Sequence, residues 1–107
     1  MMVDRQKWFS LPLCAQMGNI GSEIARARGW EKKGASAPTR DSLIRAIDLI
    51  DLTLEDPRHQ NRRLNELARF REVVCDWYSR QKVFDISPEQ LERYCMSFIK
   101  TGTDVIF

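Results

Sequence analysis

The sequence predicts an all-α protein: one domain spanning residues 1–107, built as an antiparallel up-and-down four-helix bundle. Three observations predict it. Four segments repeat apolar residues at helical spacing, near residues 11–33, 40–55, 58–80 and 88–100. The segments are separated by short turn signals. The only strand-like runs lie around Val83 and from Val105 to Phe107, too little to form a sheet.

In the first segment Leu13, Met17, Ile20, Ile24 and Ala27 make one stripe. Ser10 is read as its N-cap, with Pro12 in the first turn where a missing N–H does no harm. Gly34 is the expected C-cap, and Lys32 and Lys33 suit the negative end of the helix dipole. A second stripe runs beside the first through Cys14, Gly18, Gly21 and Ala25, all small. Each interior glycine costs roughly 1 kcal/mol relative to alanine. One large side chain packed into the stripe returns about 1.5–3 kcal/mol. The stripe therefore predicts a tight helix contact, within the bundle or between subunits.

After a mobile "GASAP" turn, the second helix is capped by Thr39 or Asp41 and carries Leu43, Ala46, Ile47, Ile50 and Leu54 on its main stripe. Ile44, Leu49 and Leu52 fall off that stripe, as they would if a partner subunit met this helix. Pro57 ends the second helix and opens the third, whose broad face holds Leu64, Leu67, Ala68, Phe70, Val73, Val74, Cys75, Trp77 and Tyr78. Ser87-Pro88-Glu89-Gln90 is a capping box with proline at the first helical position. Leu91, Tyr94, Cys95 and Phe98 then face inward, and Gly102 ends the fourth helix.

Composition narrows the function classes. With 43% hydrophobic and 30% charged residues the chain can form a core. A net charge of +2 does not by itself call for nucleic acid. No apolar run approaches a membrane span or a signal peptide, so the expected compartment is the cytoplasm. Cys14, Cys75 and Cys95 are widely spaced and His59 is the only histidine, so no metal site or cofactor is expected.

Arg71 falls inside the third helix's apolar stripe and needs a partner. Glu23 is the expected partner in a buried ion pair, with Asp48 and Asp51 as alternatives. Two basic clusters are candidates for binding nucleic acid or another anion: Arg26, Arg28, Lys32 and Lys33, and Arg58, His59, Arg62 and Arg63. The second opposes the dipole at the start of the third helix, as an anion-binding site would. No catalytic arrangement emerges. His59 has no Cys or Ser at a recognisable spacing, a HEPN-type ribonuclease lacks its arginine, and a di-iron bundle lacks its second histidine.

The segments "QMGNIGSEIARARGWEKKG", "RAIDLIDLTLEDP" and "RRLNELARFREVVCDWY" resemble a family of small bacterial proteins. That family is similar to the four-helix-bundle group of the 23S rRNA intervening-sequence proteins and the accessory variability determinant of diversity-generating retroelements. The resemblance implies a ring-forming, RNA-binding accessory protein that assists a reverse transcriptase. This chain is shorter than those proteins and nearly neutral. The expected function is thus a non-enzymatic, self-associating adaptor for a nucleic-acid-handling partner. The alternative is a protein-interaction module or regulator that binds no nucleic acid.

Overall fold

In a computed structural model that describes residues 3–101, the chain is all-helical, with five helices and no strand among the described residues. They are α1 (Arg5–Ser10), α2 (Leu13–Lys32), α3 (Ser36–Glu55), α4 (Arg62–Ser79) and α5 (Pro88–Thr101), with a 3-10 turn at Pro57–His59 between α3 and α4. The expected end of the last helix at Gly102 and the Val105–Phe107 run lie outside the described residues.

Four boundaries differ from expectation, each for a local reason. The start of the chain forms α1, which the sequence reading lacked. Asp4 caps it by accepting from the Gln6 N–H at 2.9 Å. Ser10 is therefore not a cap but the last residue of α1, and its hydroxyl donates to the Lys7 carbonyl. Pro12 takes the N-cap position of α2 in extended conformation. Next, α3 starts at Ser36 rather than Arg40. Gly34, at φ +73°, turns the chain in the left-handed region that favours glycine, and Gly34 and Ala35 N–H groups donate to Glu31 and Trp30 carbonyls. Pro38 fits the first turn of α3, and the buried Thr39 hydroxyl bonds back to the Ala35 carbonyl instead of capping. Pro57 opens only the 3-10 turn. The cap of α4 is Asn61, which accepts from the Arg63 N–H at 2.8 Å. The Ser87 capping box forms in full: Ser87 N–H donates to Gln90 Oε1 (2.8 Å) and Gln90 N–H to Ser87 Oγ (3.2 Å).

The core gathers Met17, Ile20, Ile24 and Ala27 of α2, Leu43, Ala46, Leu49 and Ile50 of α3, Leu67, Phe70, Val73 and Val74 of α4, and Leu91, Tyr94, Cys95 and Phe98 of α5. Trp8 of α1 joins them. The small stripe on α2 has a clear role inside the monomer. A Cβ on Gly21 would lie 2.9 Å from Cys95 Cβ, and one on Gly18 would lie 3.1 Å from Ile99 Cδ1. These glycines let α5 approach α2. By contrast α4 and α5 meet through large side chains: the Phe70 and Tyr94 rings are 5.0 Å apart, and the Tyr94 hydroxyl donates to Glu66 at 2.6 Å.

Leu49 is core, and Leu52 is half-buried against it; neither is an open contact surface. Helix α3 is apolar on several sides because α1, α2 and α4 all pack on it. Ile44 alone of the three is exposed.

Candidate functional site

The densest polar arrangement sits where α1, the start of α2 and the end of α3 meet the 3-10 turn. Asp56 is fully buried and collects donors. Arg58 gives its Nε to Oδ1 at 3.0 Å, its guanidinium NH2 to Oδ2 at 2.6 Å and its backbone N–H to Oδ1 at 3.0 Å. Gln16 adds a side-chain amide to Oδ2 at 3.0 Å. The arginine side chain, its N–H and the Gln16 amide hold the Asp56 carboxyl far below the usual carboxylate range, against the opposing effect of burial. The same pairing raises Arg58. Arg58 also donates to the Leu11 carbonyl at 2.6 Å, fixing the α1–α2 link.

His59 is buried, and its Nε2 lies 2.9 Å from Gln16 Oε1. Burial pushes its imidazole below the ordinary value; Arg58 and Arg63 push the same way and Asp56 opposes them. Gln16 also donates to the Trp8 carbonyl at 2.9 Å, and Trp8 Nε1 donates to Thr53 Oγ1 at 3.0 Å.

The basic residues of the sequence reading are mostly engaged. Arg58, His59, Arg62 and Arg63 do come together around one open depression with Asn61. Yet Arg58 belongs to Asp56, His59 to Gln16, and Arg63 pairs with Glu66 at 3.1 Å and lies over the Phe98 ring. Arg62 is exposed there. The conflict with the helix dipole is eased: Arg58 and His59 precede α4, and Glu66 neutralises Arg63. In the other cluster Arg26 pairs with Glu23 at 3.1 Å and Arg28 with Glu92 at 3.0 Å. Lys32 and Lys33 remain exposed, Lys33 over the Trp30 ring.

No family model, curated protein or solved structure matches this chain.

The expected Arg71–Glu23 pair does not form. Arg71 Nε donates to Asp51 at 2.5 Å, and both side chains are partly exposed, so the pair is not buried. Asp51 wins because it lies on α3, directly beside α4. Glu23 faces α3 from α2 and is taken by Arg45 (3.2 Å) and Arg26.

A second surface lies along α2 and α5. Cys14 is exposed, Gly18 and Ala25 are half-buried, and beside them Met96 is 41% and Ile99 51% exposed. Cys95 lies beneath, and burial pushes its thiol well above the usual range. Burial raises Cys75 as well. No group of three or more His, Cys, Asp or Glu side chains is placed to hold a metal among the described residues, and none of their helices is long and apolar enough to cross a membrane.

The sequence reading missed Trp8, Gln16, Thr53 and Asp56. Two signals were available: a glutamine among the apolar positions of the first helix, and an aspartate before proline with arginine two residues on.

Proposed function

We propose that this chain is a non-enzymatic interaction module, an up-and-down antiparallel four-helix bundle carrying α1 as an extra element, that pairs with a second copy through α2 and α5. Several contacts support the topology. Glu23–Arg45 and Gln16–Asp56 run oppositely along α2 and α3, as do Gly18–Ile99 and Arg28–Glu92 along α2 and α5, and Arg63–Phe98 and Glu66–Tyr94 along α4 and α5.

The observation that carries self-association is the exposure of Met96 and Ile99, one turn apart, beside small residues of α2. Met96 and Ile99 lie against Gly21 and Gly18, so what the face presents is an exposed apolar ridge of α5. Two copies of such a ridge can meet across a two-fold axis, the usual geometry of homodimers. Light scattering at micromolar concentration tests this. The native chain should exceed monomer mass, and Ile99→Glu should return it to monomer without loss of helicity. A native monomer at every concentration refutes it.

A role beside a nucleic-acid-handling partner, such as a reverse transcriptase and its RNA, is the second reading. Arg62 on the open depression and Lys32 and Lys33 favour it, as exposed basic side chains of the two clusters that make no ion pair among the described residues. Titration against single-stranded and structured RNA at two salt concentrations decides it. Binding should weaken in Arg62→Ala and with salt. No binding at low salt leaves the protein-interaction module.

A further inference from the structure

Gln16 links α1 to His59. Its Oε1 faces His59 Nε2, while its amide group donates to the Trp8 carbonyl and to Asp56. With both amide hydrogens spent, Gln16 can meet His59 only as an acceptor, so the neutral ring carries its proton on Nε2. That same Nε2 is 3.5 Å from Asp56 Oδ2. Two acceptors thus stand beside one donor. A neutral ring is held by the nearer amide oxygen. A charged ring is drawn to the carboxylate, because charge-assisted hydrogen bonds are roughly twice as strong as neutral ones.

We propose that α1 is an acid-released latch: a proton on His59 moves the ring from Gln16 to Asp56, displaces the Gln16 amide from Oδ2, and so frees the Trp8 carbonyl and lets α1 lift from α3 while the other helices stay folded.

The remaining ties of α1 are the Trp8 ring in the core with Phe9 packed partly against it, the Trp8 bond to Thr53, the Arg58 bond to the Leu11 carbonyl just after the helix, and the exposed Arg5–Glu55 pair at 3.2 Å, which contributes little. Six residues cannot hold a helix alone in water, so α1 depends on these anchors. Protons can reach His59, which lines the open depression with Arg58, Asn61, Arg62 and Arg63. The charged groups facing it are Asp56, which favours the imidazolium, and Arg58 and Arg63, which oppose it; Gln16 faces it from α2. The sign follows. The folded value is depressed below the unfolded 6.5, so the unfolded or released chain binds the proton more readily. The latch is fully closed above that unfolded value and weakens as pH falls through the window beneath it.

Hydrogen exchange read by mass spectrometry on the native chain, from about pH 7.5 to about pH 5, tests the latch across the histidine range. After correction for intrinsic exchange, α1 amides should exchange several-fold faster at the acid end. Amides of Leu67–Val74 in α4 should not change. His59→Gln, which keeps a donor toward Gln16, should remove the acid response. The proposal fails if α1 is equally protected at both ends, if α1 and α4 lose protection together, or if the response survives in His59→Gln. The native chain alone decides the first two outcomes, so a variant that does not fold leaves the proposal falsifiable.

Discussion

Helix α2 is held at two places by opposite means. Along Gly18 and Gly21 it meets α5 in an apolar seam, backbone close to side chain. At Gln16 it meets α1, α3 and the 3-10 turn through a knot of charged and polar groups around a buried carboxylate. A seam of this kind depends on volume and ignores pH. A knot depends on protonation and hydrogen-bond count, and tolerates little loss of either. One helix therefore has one end tuned by shape and one end tuned by charge.

The largest test of this contrast is Asp56→Ala. It strands the Gln16 amide and the Arg58 guanidinium. Breaking a buried ion pair can cost 3–5 kcal/mol, but Arg58 is half-exposed and keeps access to water. A loss of about 3 kcal/mol is expected in urea unfolding, shrinking as pH falls and the native carboxylate is itself protonated. Gly21→Ala should come next, costing about 2 kcal/mol, because the added methyl meets the Cβ of Cys95, which cannot swing away. That loss should be equal at neutral and mildly acid pH. Gly18→Ala should be far milder, since only the tip of Ile99 must move. If Gly18 and Gly21 behave alike, the seam is not the rigid contact described here. The smallest effect is a gain: Gly29→Ala, with open space around its Cβ, should stabilise by up to about 1 kcal/mol in thermal unfolding.

The seam was legible in the sequence and the knot was not. Small residues at helical spacing have few uses, and the Cys14–Ala25 stripe pointed to close packing before any partner was known. The Ser87–Gln90 box was equally plain, because both its partners lie within four residues. The knot joins Trp8, Gln16, Asp56 and His59 across three segments; local spacing offers the Asp56–Arg58 pair and the odd glutamine, but not that they meet. The choice of ionic partners is of the same kind. Arg71 meets Asp51 rather than Glu23 because of which helices end up adjacent. The basic clusters read as sites because Glu66 and Glu92 lie on another turn or another helix, and because Asp56, though two residues from Arg58, was not read as its partner. The short α1 escaped because six residues hold less than two turns of periodicity.

The thiol beneath the seam gives the molecule a clock. Cys95 lies against Gly21 with its sulfur shielded and protonated, while Cys14 stands in solvent on the same helix pair. An alkylating reagent should modify Cys14 at once and wait for Cys95 until α2 and α5 part. The delay between the two events then times how often the seam breathes, without any probe added to the chain.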